Sequence, residues 1–71
     1  MRRANLAAAR VRRGLTQCQM GIRCRIGKKT YCSYERGVST PGLYAALNIA
    51  DVLGIKTVAE LRDVFDLPEG E

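Results

Sequence analysis

Residues 14–37 read GLTQCQMGIRCRIGKKTYCSYERG, and this stretch carries most of the structural information in the chain. Thr16 is placed to cap a helix that runs to about Cys24, because its side chain can accept a hydrogen bond from the first turn. A break at residues 25–27 separates that helix from a second one over residues 28–36. Two helices of about eight residues with a short break between them have the dimensions of a helix-turn-helix.

The flanking sequence predicts three more helices. Residues 5–13 are rich in Ala and Arg, with Asn at a cap position. Residues 43–53 carry an apolar stripe at helical spacing. Thr57 and Glu60 have the spacing of a capping box, which opens a last helix that ends by Pro68. Because the alternation typical of strands is missing from the sequence, we expect an all-α, compact five-helix bundle.

One shared core must be covered by these short helices. On the fourth helix, the spacing of the apolar residues places Leu43 and Leu47 on the inward face. The full set of predicted core residues is Leu6, Leu15, Met20, Cys24, Ile26, Tyr31, Tyr34, Leu43, Leu47, Ala50, Leu53, Ile55, Val58, Leu61 and Phe65.

The length of 71 residues predicts a single domain, residues 1–71, with an acidic tail at 68–71. No run of about 20 apolar residues occurs, so we expect no membrane span. The first residues do not resemble a signal peptide, and we expect a cytoplasmic protein.

Charge is distributed unevenly along the chain. Residues 1–36 hold ten basic side chains and one acidic one, a net charge of +9, whereas residues 37–71 hold two basic and six acidic ones, a net charge of −4. Such asymmetry indicates a polyanionic partner for the first half. Six arginines are expected to add long-range attraction: Arg2, Arg3, Arg12, Arg13, Arg23 and Arg25.

The composition argues against enzyme chemistry. The chain has no histidine, so the common Ser–His and Cys–His pairs are excluded. Cys18, Cys24 and Cys32 have no fourth ligand for a closed zinc site, and an odd count argues against a disulfide framework. We expect no metal, no cofactor, no small-molecule ligand and no catalytic residue. A thiol-based enzyme or redox sensor is the second alternative.

Several short motifs stand in register over about residues 5–65. These are Asn5-Leu6, Arg10, Gly14-Leu15-Thr16-Gln17, Glu35-Arg36-Gly37, Pro41-x-Leu43 and Ile49-Ala50-x-x-Leu53-Gly54-Ile55. Together they resemble the phage Cro/repressor-type (XRE-family) helix-turn-helix regulators. The resemblance implies a lambda-repressor-like DNA-binding domain, with the helix-turn-helix in helices two and three and the recognition helix at about 28–36.

This chain departs from the family pattern within the helix-turn-helix. Gly21 replaces a small residue, mostly Ala, and we expect it to make room for the bulky Tyr31. Arg25 stands where the family has a left-handed glycine, which costs about 1 kcal/mol if its φ is positive. Gly27 replaces a capping Ser or Thr.

The resemblance also implies roles for individual residues. Expected DNA base contacts are Lys28, Lys29, Cys32 and Ser33. Expected DNA phosphate contacts are Thr16, Gln17, Arg36, Ser39 and Thr40. Arg10 and Glu35 are expected to form a partly buried structural salt bridge. Apolar residues left over near the C-terminus are expected to form a dimer interface: Val58, Val64, Phe65 and Leu67.

The sequence therefore predicts a sequence-specific regulator of transcription, a repressor of bacterial or phage type. It is expected to bind double-stranded DNA at an approximately palindromic operator, as a homodimer that can form on the DNA itself. The first alternative is a protein-interaction module on the same fold, such as an antitoxin or anti-repressor subunit.

Overall fold

Five α-helices make up most of residues 2–65, the part of the chain that the computed structural model describes, and no strand occurs there. The predicted all-α architecture is therefore confirmed. The helices are α1 (Ala4–Arg12), α2 (Gln17–Arg23), α3 (Lys28–Arg36), α4 (Leu43–Leu53) and α5 (Val58–Phe65). The predicted acidic tail at 68–71 lies outside the described residues.

Local capping interactions set the helix boundaries. The Thr16 hydroxyl oxygen accepts from the Gln19 backbone N–H at 3.1 Å, and the Gln19 side chain accepts from the Thr16 N–H at 2.9 Å. This capping box starts α2. At the start of α5, the Thr57 hydroxyl oxygen accepts from the Glu60 N–H at 3.1 Å. Gly37, in the left-handed conformation, ends α3.

The start of α1 differs from the prediction. The helix begins at Ala4, and Arg3 occupies the N-cap position without a side-chain cap. Asn5 is therefore not a cap. Its amide donates to the carbonyl and carboxylate oxygens of Asp63, at 3.2 and 3.3 Å, and ties α1 to α5.

The core lies where α1, α2, α3, α4 and α5 meet. Leu6, Met20 and Ile49 are fully buried, and burying a large aliphatic side chain stabilises the fold by about 1.5–3 kcal/mol. The core residues are Leu6, Ala9, Met20, Cys24, Tyr31, Ile49, Leu53, Val64 and Phe65.

The inward face of α4 is not the predicted one. Leu43 and Leu47 are 78% and 56% exposed, whereas Ala45 and Ile49 are buried. Because α4 is apolar almost all round, its apolar spacing alone does not fix which face turns inward. A polar contact helps to fix it: the Asn48 amide donates to the carbonyl of Cys24 at 3.0 Å, which holds α4 against the end of α2.

The turn between α2 and α3 explains two of the unusual residues. Arg25 has φ +62°, so an L-residue does occupy the left-handed position. A Cβ on Gly21 would lie 2.5 Å from the carbonyl carbon of Gly27 and 2.7 Å from the backbone nitrogen of Lys28. Gly21 therefore makes room for the backbone of the turn and not for Tyr31, as the sequence had suggested.

The end of α5 is part of the core. Val64 and Phe65 are both buried against α1 and the other core residues. The sequence-based assignment of these two residues to a dimer interface is therefore wrong, because their side chains already pack inside the monomer. Val58 is exposed. Its predicted place in the core is therefore wrong, whereas its predicted place in a dimer interface stays a prediction. Leu67 lies outside the described residues.

Candidate nucleic-acid interface

The outward face of α3 is basic. Lys28, Lys29 and Arg36 are exposed, and their side chains make no hydrogen bond or ion pair within residues 2–65. Thr30 is exposed as well, although the sequence reasoning did not single it out. The positive charge on this face is therefore free to meet an external anion.

Cys32 and Ser33 are half-buried on the same helix, between the inward and outward faces. The inward positions of α3 are Tyr31 and Glu35, both buried, with Tyr34 partly buried beside them. This division between faces follows from the helical period of 3.6 residues.

A buried ion pair fixes the inward face of α3. The Arg10 Nε lies 2.6 Å from a carboxylate oxygen of Glu35, so the predicted salt bridge between α1 and α3 is present. Glu35 is 1% exposed and Arg10 is 14% exposed. The Arg10 Nη1 also donates to the carbonyl of Leu15 at 2.7 Å, and this bond ties the ion pair to the connection before α2.

Gln17 completes the network around Glu35. Its Nε2 donates to the second carboxylate oxygen of Glu35 at 3.0 Å, so the start of α2 is joined to the last turn of α3. The other hydrogen on Nε2 is not needed for this bond. Gln17 can therefore support Glu35 and still donate to an external phosphate.

The network shifts the pKa values of its members. Burial by itself raises the pKa of Glu35, but the hydrogen bonds from Arg10 and Gln17 outweigh it and leave the pKa below its ordinary value. The hydrogen bond to Glu35 raises the pKa of Arg10. Both groups therefore stay charged at neutral pH.

Tyr31 is buried next to this pair. Burial raises the pKa of its hydroxyl, and the nearby carboxylate of Glu35 raises it further. The hydroxyl has no well-formed hydrogen bond to any of residues 2–65. Tyr31 therefore stays neutral and contributes mainly its ring to the core.

Arg3 has a structural role that the sequence reasoning missed. Its side chain is buried and donates to the carbonyl oxygens of Tyr34 and Ser39, the latter at 2.8 Å. It also donates to the Thr40 hydroxyl oxygen at 3.2 Å and to the Phe65 carbonyl at 3.4 Å. Its guanidinium therefore holds the α3–α4 connection in place, and its expected share in long-range attraction stays a prediction. A lone arginine ahead of a helix gives no sequence signal of this role.

Arg13 also makes hydrogen bonds within the chain. Its Nε and Nη2 donate to the carbonyl of Leu53 at 3.1 and 2.8 Å, and so cap the end of α4. Arg13 is exposed and keeps its charge, so its expected share in long-range attraction stays a prediction.

The residues expected to contact phosphate gather near the C-terminal end of α3. Gln17 is bonded to Glu35, the neighbour of Arg36, and Thr16 precedes it. Arg3 ties Ser39 and Thr40 to the last turn of α3. The Thr16 and Thr40 oxygens accept internal hydrogen bonds, but each hydroxyl keeps a hydrogen that it can donate outward.

The three cysteines differ in their exposure. Cys18 is exposed, Cys24 is buried and Cys32 is half-buried, and all three are free thiols. Burial raises the pKa of Cys24 to about 11, which disfavours its thiolate. Within residues 2–65, no group of three metal-ligating side chains comes together.

No protein-family model, curated protein or solved structure matches the chain. In the described part of the structure, no helix is both long and apolar enough to span a bilayer.

Proposed function

We propose that the chain is a sequence-specific double-stranded DNA-binding regulator of transcription, a repressor, that uses α2 and α3 as a helix-turn-helix. The observation that carries the proposal is the outward face of α3. It presents Lys28, Lys29 and Arg36 with no internal partner among residues 2–65, on a helix whose other face is locked into the core.

The two ends of α3 are proposed to make different contacts with DNA. A helix with its side chains is about 10–12 Å across, which fits the roughly 12 Å width of the major groove, and the nine residues of α3 extend about 13.5 Å along it. Lys28 and Lys29 stand at its start, where the proposal assigns base contacts, chiefly to guanine. Ser33 follows about one turn later, and Cys32 lies beside it near a thymine methyl.

Phosphate contacts are assigned to the opposite end of α3. Arg36, Gln17 and Thr40 lie there with donors still available, and two of them are fixed by internal hydrogen bonds. Contacts to phosphates set the position and register of a protein on the duplex, and contacts to base edges supply the specificity.

A dimer on DNA is part of the proposal. One small helix offers few base contacts, and helix-turn-helix dimers place two recognition helices about 34 Å apart, one turn of DNA. The chain measures 33 × 24 × 21 Å, so equivalent points on two touching copies can lie at that separation. The approximately palindromic operator follows from the two-fold symmetry of such a dimer.

Selection of bound sites from a pool of random duplexes tests the proposal. We expect a sequence motif with two-fold symmetry to emerge. On the selected site, Lys28→Ala or Ser33→Ala should relax discrimination at particular base pairs, by about 1–3 kcal/mol where a bidentate contact is lost.

Gln17→Ala serves as the matched comparison, because it removes a phosphate donor and should weaken all sequences alike. If no motif is enriched, the claim of sequence specificity is wrong. If Lys28→Ala also weakens all sequences alike, the lysine contacts phosphate and not bases.

The alternative of a protein-interaction module makes the opposite prediction. Its affinity would follow one protein partner and would be insensitive to DNA sequence. The free basic side chains of α3 favour the DNA-binding proposal, since they match a polyanion.

A further inference from the structure

We infer that α4 carries the surface through which two copies of this chain associate. The surface consists of Leu43, Tyr44 and Leu47, here called the α4 apolar face. These side chains are 78%, 66% and 56% exposed, although they are large and apolar. The inference rests on the proposed function, because binding to a duplex with two half-sites calls for a dimer. It adds the surface through which that dimer forms.

The helical period places the three residues together. Leu43 and Leu47 are one turn apart, and Tyr44 lies three residues before Leu47, so Leu47 neighbours both of them on the surface of α4. The opposite side of the helix, with Ala45, Ile49 and Leu53, is buried in the monomer. The α4 apolar face is therefore a contiguous patch that the monomer itself does not cover.

The charge pattern indicates that the α4 apolar face binds a second copy of the chain. The protein has a net charge of +5, so two copies repel each other on the whole, most strongly where the basic residues of the first half face each other. Residues 37–50 contain no charged side chain, and this is the longest uncharged run in the chain. The α4 apolar face lies within that run, where two copies can approach with the least repulsion. A strongly acidic or basic partner would find no complementary charge there.

An antiparallel pairing of two α4 helices adds a favourable contact. Leu47 lies four residues from Leu43 and four from Asp51, which is exposed. A two-fold axis at Leu47 therefore places Asp51 of one copy beside the start of α4 in the other. The first turn of α4 has no acidic residue, and its N-cap, Gly42, makes no side-chain hydrogen bond. A carboxylate at that position is favoured by the helix dipole.

The size of the surface predicts a weak dimer. Three side chains make a patch on the order of 300–400 Å², whereas a stable interface buries about 800 Å² on each partner. The free chain should therefore dimerise only at high concentration. Two adjacent half-sites on one duplex would supply that concentration locally.

Sedimentation equilibrium of the full chain without DNA tests the inference. We expect a reversible monomer–dimer equilibrium between about 10 µM and 1 mM, with a stronger dimer at high salt because screening reduces the repulsion between copies. Leu47→Glu should shift the equilibrium at least tenfold towards monomer. Because Leu47 is exposed, the variant should keep the helical circular dichroism of the wild type, and Leu47→Ala offers a milder change at the same position.

Ile22→Glu is the matched control, since Ile22 is 68% exposed on α2 and lies outside the α4 apolar face. It should dimerise as the wild type does. A chain that stays monomeric at 1 mM would overturn the inference, as would a Leu47→Glu variant that dimerises normally or an Ile22→Glu variant that does not.

Disulfide cross-linking locates the interface independently. In a Cys18→Ser/Cys32→Ser background, Leu47→Cys should form a disulfide with its symmetry copy on mild oxidation, because the two-fold axis passes that residue, whereas Ile22→Cys in the same background should not. A Leu47→Cys chain that forms no disulfide under conditions where sedimentation detects the dimer would contradict the assigned surface. Because these experiments contain no DNA, their failure would leave the DNA-binding proposal standing. A normal dimer that fails to bind DNA would instead overturn only the proposed function.

Discussion

Removing Arg10 should destabilise the protein far more than removing an exposed arginine. In Arg10→Met, the carboxylate of Glu35 stays buried but loses its charged partner, which lies 2.6 Å away in the wild type. The carbonyl of Leu15 also loses its donor. Breaking a buried ion pair in this way costs about 3–5 kcal/mol. A single core of this size provides roughly 3–5 kcal/mol in total, so the variant should be largely unfolded at neutral pH.

The pH dependence gives the effect a distinctive sign. In the wild type, the pKa of Glu35 is lowered, so its contribution to stability is present above the unfolded pKa of about 4.3 and is lost as the pH falls through the folded pKa. In Arg10→Met, the weaker hydrogen bond from Gln17 still opposes burial but that from Arg10 is lost, and the pKa of Glu35 should rise. Its contribution should then recover as the pH falls through the raised pKa. The difference in stability between the two proteins should therefore shrink in mild acid.

The folded fraction without denaturant, and urea unfolding wherever a transition remains, measure this difference by circular dichroism at about pH 7 and about pH 4.5. Arg12→Met is the matched control, because Arg12 is exposed on the same helix and should change stability by less than about 0.5 kcal/mol. The double variant Arg10→Met/Glu35→Met should recover most of the loss, since no buried charge remains. A loss below about 1 kcal/mol for Arg10→Met, or a loss that grows as the pH falls, would refute the reasoning.

Three further substitutions test the packing by thermal unfolding. Gly21→Ala should destabilise by about 1–2 kcal/mol, because the overpacking against Gly27 outweighs the gain in helix propensity; an unchanged melting temperature would contradict the close approach. Arg25→Gly should stabilise by about 1 kcal/mol, because glycine adopts the positive φ without strain; a lower melting temperature would count against this. Phe65→Asp should abolish the cooperative transition, because the new carboxylate is buried in the core; a folded variant would place Phe65 outside the core.

Local signals made the helices predictable from the sequence. Thr16, Gly37 and Gly54 mark helix ends through interactions with residues only a few positions away, and the structure shows each one in that role. The salt bridge between Arg10 and Glu35 was predictable only through the resemblance to a family, because its partners are 25 residues apart.

The orientation of α4 and the role of Arg3 could not be predicted in the same way. The sequence LYAALNIADVL is apolar on most sides, so burial of either Leu47 or Ile49 satisfies its pattern. The contact that helps to select the inward face, from Asn48 to a carbonyl on α2, involves a backbone atom that no sequence pattern marks. Arg3 likewise bonds mainly to backbone carbonyls, and these come together only in the folded chain.

DNA binding by α3 is tested by the affinity for a mixed-sequence duplex as a function of salt, followed by fluorescence anisotropy. We expect the affinity to fall at least tenfold between about 50 and 200 mM salt. Arg36→Ala, which removes a proposed phosphate contact, should lower the salt slope by about one, whereas Lys56→Ala, which removes a basic residue outside α3, should leave it close to that of the wild type. An affinity that stays constant across this range of salt, or a slope that Arg36→Ala does not change, would contradict the claim that α3 binds DNA.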